Sequence, residues 1–398
     1  MGHLTQGYAI AVIGISMRES FNDPARSCQR PSQSFKIIGE ILQKLWELTR
    51  NRMLKNYSLK RRQFIQLSAL TLGGSILAAC TNSNSTTSES LSNLDKIKFS
   101  LDWKAEAEYG GFYQAVTTGI YRQHGLDVII QPASPQTNTT QLLMGGVVDF
   151  TMGVAVNALQ AVQQRIPKIT VAAIFQKDIR VLLTHPGVRN DSFEDLKGQP
   201  IFISPGASFW PFLKAKYGLT DAQLRPYNFN VTPFLVDKNS AQQGLLTSEP
   251  YTIEKQGGFQ PNILLLADAG YNPYAFTIET TTQLVETNPD LVQRFVDASI
   301  KGWYSYLENP EPGNELIKKD NPEMTDDLIA YGLNKLKEYK IILSGDAETL
   351  GIGAMTDQRW ETLFNDLVAV GVLDGKTDYK QAYTLDFVNK GVDYYLSK

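Results

Sequence analysis

The sequence predicts an α/β protein of two lobes joined by a hinge, and three observations carry that expectation. The chain has 398 residues, enough for two cores. Short apolar strand-like runs alternate with segments of helical period from about residue 96 to 270. A second α/β unit interrupts the first, so the chain crosses twice between them and leaves a cleft, the usual place for a small ligand.

The elements follow in order. Lys96–Asp102 alternates apolar and polar residues as a strand does, and Tyr109–Tyr121 has helical spacing. Leu126–Ile130, Val148–Met152 and Lys168–Phe175 read as strands, with helices at Gln136–Met144 and Ala155–Gln164 between them. This alternation predicts a mostly parallel sheet. The second unit opens at Val181–His185 and turns at Asp195–Gly198. It continues with a strand at Pro200–Ser204 and a helix at Phe209–Tyr217, and ends with Asn262–Ala267. The chain then returns near Ala275–Ile278. Three helices complete it: Leu291–Leu307, introduced by Asn288-Pro289-Asp290; Asn321–Tyr339; and Thr356–Val370. Lobe I is therefore expected over 96–180 and 275–398, and lobe II over 181–274.

The N-terminal region has a different character. Residues 1–79 hold 11 of the 38 basic and 4 of the 41 acidic residues, leaving a body of net charge −10. A body of that sign without a run of cations argues against nucleic acid as a partner. Arg61-Arg62-Gln63-Phe64-Ile65 precedes an uncharged stretch to Ala79, too short and polar for a spanning helix. It reads as a secretory signal with a twin-arginine pattern. Leu77-Ala78-Ala79-Cys80 resembles a lipobox, so Cys80 is the expected lipidation site and membrane anchor. Residues 80–95, rich in Ser, Thr and Asn, read as a tether. Met53 is the expected start, with 53–79 the signal and 1–52 a non-translated or dispensable extension.

The only other cysteine is Cys28, so no disulfide framework, zinc site or thiol nucleophile is expected in the body. Only His124 and His185 lie there. No His-Glu-x-x-His, Gly-x-Ser-x-Gly or Walker pattern occurs. The expectation is a binding protein with no metal and no cofactor.

Several segments together resemble a known family. They are Leu101-Asp102-Trp103 with Gly111–Ala115, Gly119–Tyr121 with Gly125–Val128, Gly145 with Val148–Phe150, Asp195–Gly198 and Leu246–Tyr251. In order and spacing they are similar to the solute-binding proteins of ABC importers for sulfonates, nitrate and thiamine pyrimidine precursors, across residues 96–310. The resemblance implies the type II periplasmic-binding-protein fold. It also implies a lipid-anchored monomer at the extracytoplasmic face, with a small-molecule solute and ABC permease and ATPase subunits as partners. The fungal hydroxymethylpyrimidine phosphate synthase shares that fold and is the alternative reading. Its pyridoxal-phosphate lysine and substrate histidine correspond here to Gly153 and Asn157, and its cysteine cluster is missing. Its glycine-rich phosphate loop corresponds to Ser204–Trp210, which keeps only Gly206.

Site candidates are sought where strands end. Asp102 could accept hydrogen bonds from ring amino groups and Trp103 could stack, or the pair could be a helix cap and a core ring. Tyr109 and Tyr113 share a helix face that points either to the cleft or to the sheet, with Tyr113 favoured for the core. Tyr109 stands where thiamine-precursor binders tend to have histidine. Glu106 is expected to be solvated. Asn157 is a candidate amide contact at a helix start. Opposite lie Ser208 and Trp210, with Ser204 and Phe209, as a closing jaw, although Ser208 could equally be a cap. Glu249 is a candidate acceptor at a strand end, with Tyr251 beside it and Tyr274 a weaker candidate. With no Arg or Lys in this set, a heteroaromatic solute such as a pyrimidine precursor or riboflavin-like compound is preferred to sulfonate or nitrate.

Overall fold

The computed structural model describes residues 94–396. Cys80, the signal segment and most of the tether lie outside the described residues. Within them, ten strands form two five-stranded sheets.

The first sheet contains β1 (Asp95–Ser100), β2 (Leu126–Gln131), β3 (Phe150–Val154), β4 (Lys168–Phe175) and β10 (Ala275–Thr281), in the order β2-β1-β3-β10-β4. The second contains β5 (Arg180–Thr184), β6 (Ile201–Ile203), β7 (Leu224–Pro226), β8 (Ala241–Leu245) and β9 (Asn262–Leu265), in the order β7-β6-β8-β5-β9. The chain passes between the sheets at 176–179 and again at 266–274.

The expected mostly parallel sheet is corrected to a mixed one. β1 pairs parallel with β2 and β3, but β10 runs antiparallel between β3 and β4. β4 leaves for the second sheet and β10 comes back from it, so the returning strand enters the first sheet from the opposite end. In the second sheet β5 is likewise antiparallel to both neighbours, β8 and β9.

The helices used below are α1 (Gly110–Thr117), α2 (Thr139–Met144), α3 (Ala155–Gln163), α4 (Trp210–Tyr217), α5 (Glu249–Gly257), α6 (Pro289–Glu308), α7 (Glu311–Asp320), α8 (Asp326–Glu338) and α9 (Asp357–Ala369). The helix expected over Tyr109–Tyr121 stops at Thr117, because Gly119 takes a left-handed φ of 76° and starts a separate short turn. The helix expected from Asn321 begins later. Thr325 caps it by accepting from the Leu328 N–H, while the Asn321 amide is buried and donates to the Ala105 carbonyl at 2.9 Å. Asn288 does cap α6, accepting from the Leu291 N–H.

One close crossing holds α1 beside α6. A Cβ on Gly302 would lie 2.3 Å from the Gly111 carbonyl oxygen, and one on Gly111 would lie 2.2 Å from the nearest Trp303 ring atom. Only paired glycines permit this approach. Beneath it, Phe295 stacks on Phe150 at 4.0 Å and meets Phe99 edge-on at 5.3 Å. This crossing fixes the end of β1, and with it the first wall of the cleft. No helix among the described residues is long and apolar enough to cross a membrane.

Candidate functional site

A cleft of about 640 Å³ lies between the two sheets, lined by the segments that follow β1, β3, β6 and β8. Strand ends in α/β sheets expose backbone groups and free side chains outside the sheet, which is why ligands gather there. The volume lies within the range usual for small-molecule sites.

On the first wall, β1 ends and the chain turns through Asp102 and Trp103. The Asp102 carboxylate accepts from the Tyr109 hydroxyl at 2.7 Å, and Trp103 Nε1 donates to Glu106 Oε1 at 3.2 Å. The protein enclosing the cleft raises the Asp102 carboxyl above its ordinary range, partly offset by the Tyr109 bond and the Arg180 charge. Glu106 is pushed well up by burial and then by its like-charged neighbours Glu108 and Glu249. The expectation that Glu106 is simply solvated is therefore corrected: it is half-buried and lines the cleft. Its indole partner positions it there.

The second wall is built by β6, β8 and the loop after β7. Glu249 does not end a strand as expected but begins α5. Its Oε2 accepts from the Leu245 N–H at 2.7 Å and the Ser248 hydroxyl at 2.8 Å, and its Oε1 accepts from the Tyr227 hydroxyl at 3.1 Å. Three of about four acceptor sites are thus filled, and Oε1 keeps one. Ser204 donates through its N–H and hydroxyl to Gln243 Oε1, and Ser208 shares a hydrogen bond with Tyr271 at 2.9 Å.

Aromatic rings close the space. Trp103 from the first wall meets Phe229 from the second, centroids 4.5 Å apart, and Tyr227 lies 5.3 Å from Phe229. Phe229 is 45% exposed and takes a φ of 65°, a left-handed conformation that costs a residue with a Cβ on the order of 1 kcal/mol or more. Phe276, in the same cleft, is also left-handed at 49°. Strain at two phenylalanines in one cavity marks a place where shape outweighs backbone comfort.

The structure brings Asp102, Trp103, Tyr109, Asn157, Ser208 and Glu249 together around this cleft. Trp210 and Tyr251 lie elsewhere. Trp210 is the first residue of α4, its ring buried and its Nε1 donating to Asp221 at 2.7 Å. Tyr251 packs against Tyr331 at 5.5 Å, under Lys255. Tyr251 stands two residues beyond Glu249, about 200° around α5, and so faces away from the cleft, while Trp210 at the start of α4 turns its ring toward Asp221. Tyr274 is buried, donating to Asp346 at 2.7 Å, and Tyr113 is a core ring whose hydroxyl donates to Asp320 at 3.2 Å.

Sequence reading missed Arg180, Lys104, Tyr227, Phe229 and Phe276, all of which line the cleft. The aromatic pair Tyr227 and Phe229 inside an otherwise polar loop was the available signal. Both cations are already paired, Arg180 with Asp178 at 2.6 Å and Lys104 with Glu323 at 2.6 Å. Asp102, Glu106 and Glu249 are instead hydrogen-bonded by uncharged donors. The cleft thus offers carboxylate oxygens beside ring faces. Among the described residues no group of three or more His, Cys, Asp or Glu could hold a metal ion.

The place corresponding to the synthase lysine is filled. A Cβ on Gly153 would lie 2.2 Å from Glu279 Oε1. Glu279 pairs there with Lys168 at 2.5 Å, both almost fully buried. A lysine side chain cannot enter that space, so the residues present do not fit pyridoxal phosphate held in that way.

Comparison with known proteins agrees with this architecture. The riboflavin-binding protein RibY of Chloroflexus aurantiacus is 27% identical over 310 residues, 75% of this chain and 87% of that one. The 4-amino-5-hydroxymethyl-2-methylpyrimidine phosphate synthase THI13 of Saccharomyces cerevisiae is 30% identical over 255 residues, 56% of this chain and 74% of that one. The periplasmic aliphatic sulphonate binding protein SsuA of Escherichia coli superposes with a TM-score of 0.55 at 13% identity, covering 72% of this chain and 91% of that one, which establishes the periplasmic-binding-protein fold. The sequence model described as NMT1/THI5 like matches residues 106–312, more than half of the chain, and the protein belongs to that family.

Proposed function

We propose that this protein is the solute-binding subunit of an ABC importer, and that its cleft takes a small, flat heteroaromatic solute bearing N–H donors. One observation carries the reading: three carboxylates, Asp102, Glu106 and Glu249, stand among aromatic rings without a paired cation in the cleft. An N–H-bearing ring satisfies both features, giving its faces to Trp103, Phe229 and Tyr109 and its hydrogens to the acceptors. A sulfonate or nitrate would place its charge beside those carboxylates, and this disfavours it. Among the relatives, the one that binds riboflavin fits this chemistry.

Capture follows from the hinge. The two walls belong to different lobes joined by two crossings, so rotation of one lobe opens or closes the cleft. Trp103 and Phe229 touch across it. A ring stacked between them needs centroids about 7 Å apart, twice the normal contact distance, so they part on loading. The blocked space at Gly153 and the absence of cysteine after Cys80 support binding without turnover over the synthase alternative. Export by the twin-arginine pattern, lipid anchoring at Cys80, location at the extracytoplasmic face, a monomeric state and delivery to permease and ATPase subunits complete the proposal. The signal-like segment and lipobox support the first three.

The test is a thermal-shift screen of flavins, pyrimidines, sulfonates and nitrate, with mass spectrometry of whatever co-purifies. A ligand at 100 times its Kd should stabilise the protein by about 2.7 kcal/mol. Stabilisation by ring compounds without product formation is expected. Stabilisation by sulfonate alone, or turnover dependent on pyridoxal phosphate, would sink the reading.

A further inference from the structure

We propose that Arg180 is a specificity-determining residue of the cleft, and that the solute ring carries, beside its N–H groups, a neutral carbonyl oxygen that Arg180 holds. The substrate class is then the cyclic amides and ureides, in which N–H and C=O are adjacent on one ring edge. This rests on the ring-binding reading above.

Lys104 and Arg180 both line the cleft, but their surroundings differ. Lys104 pairs at 2.6 Å with Glu323, and the two side chains are 46% and 76% exposed. Water screens such a pair, and it fixes little. Arg180 is only 26% exposed, and its partner Asp178 is fully buried. Of the guanidinium nitrogens only Nη1 is engaged, donating to Asp178 Oδ2 at 2.6 Å, while Nε and Nη2 make no hydrogen bond to another described residue. The guanidinium is a rigid planar fork, so anchoring one arm fixes the direction of the other.

That anchoring reaches the hinge. Arg180 opens β5 directly after the first crossing, and its backbone N–H donates to Asp178 Oδ1 at 2.8 Å. The Asp178 N–H in turn donates to Asn272 Oδ1, in the second crossing, at 2.9 Å. The cation is thus tied to both segments that join the lobes. A donor ordered before the solute arrives loses little freedom on binding it.

Charge decides which acceptor suits it. Asp178 already balances Arg180, and Asp102 and Glu249 line the same cleft. An anion would therefore gain a guanidinium that is already matched and meet carboxylates around it. A neutral carbonyl oxygen takes the free donors without adding charge. The acceptors for the adjacent N–H are close by: the Arg180 charge is felt at Asp102, and β5 pairs Arg180 with Leu245, whose N–H is held by Glu249. Donor and acceptors thus emerge together, as the neighbouring C=O and N–H of a cyclic amide require.

The experiment titrates the full chain near neutral pH with lumazine, a flat ring whose pyrimidine half carries carbonyl groups, with its diamino counterpart, in which amino groups replace them, and with lumazine bearing an added carboxylate. Lumazine should bind at least about tenfold more tightly than the diamino ring. Arg180→Lys keeps a cation beside Asp178, and with it the fold, but gives up the fork. It should remove most of that advantage while leaving the affinity for the diamino ring within about twofold. Lys104→Met, at the other cation, should leave the ratio unchanged. Equal affinity for lumazine and the diamino ring, an Arg180→Lys variant that weakens both alike, or a ratio that follows Lys104 instead overturns the assignment of Arg180 and leaves the ring reading standing. Tighter binding of the carboxylated ring than of lumazine overturns the neutral acceptor. If none of the rings binds, the ring reading itself fails and takes this inference with it.

Discussion

Two groups of carboxylates in this molecule face opposite fates. Glu279 lies inside the first sheet, 1% exposed, with its charge matched by Lys168 at 2.5 Å. Asp102, Glu106 and Glu249 stand around the cleft, held by a phenol, an indole and a set of neutral donors. The buried pair is closed: its partner is internal, and no solvent or ligand reaches it. The cleft set is oriented without being neutralised, and the acceptors it keeps are available to a solute. A direct ion pair marks structure here, whereas direct hydrogen bonds from neutral donors mark the site.

The difference can be broken from either side. The largest effect is expected from Lys168→Met, which strands a buried carboxylate and should cost about 3–5 kcal/mol in a urea unfolding experiment. Changing Glu279→Leu as well should recover much of that loss, because the uncompensated charge is gone. A single Lys168→Met that is neutral would show the pair to be weaker than its burial implies.

On the cleft side, Trp103→Ala should weaken the ring ligand by about tenfold, corresponding to a lost stacking contact of about 1 kcal/mol or slightly more, with unfolding midpoints nearly unchanged. Glu249→Gln should act similarly on a ligand that donates N–H groups and less on one that does not, a contrast readable by calorimetry. If the melting temperature drops and affinity does not, Glu249 belongs with the structural group.

A separate, pH-dependent effect concerns Glu108, whose carboxylate accepts from the Thr247 hydroxyl between the two lobes. Burial pushes it from 4.5 up to about 7. Because the folded form holds this proton more tightly than the unfolded chain, stability falls as pH rises from about 4.5 to 7, and the penalty is complete above that window. Glu108→Gln should flatten that part of the pH profile and raise stability at pH 8. An unchanged slope would assign it to other groups.

Much of the fold was legible because it is local. The strand Lys168–Phe175 is found with the expected bounds, and the helix expected over Ala155–Gln164 is shorter by one residue. Periodicity and caps report on neighbours in sequence, and these decide such elements. The pattern of 218–244 does not announce its elements: the strands that begin there are three and five residues long and carry Arg, Gln and Gly rather than an apolar run. Phe229 and Tyr227 were hidden there for the same reason.

By itself the sequence determined the α/β alternation, the two crossings, the lack of a cysteine or histidine constellation in the body, and six of the eight cleft candidates, since residues after strand ends are forced toward one edge of a sheet. Only the tertiary structure decided that β10 runs backwards between β3 and β4, that Trp210 and Tyr251 turn away, and that Glu279 fills the space beside Gly153. Those outcomes depend on which segments meet, for the strand and for Glu279 across more than a hundred residues of chain, and on direction, helical rotation and volume at the meeting point. Local pattern carries none of these quantities.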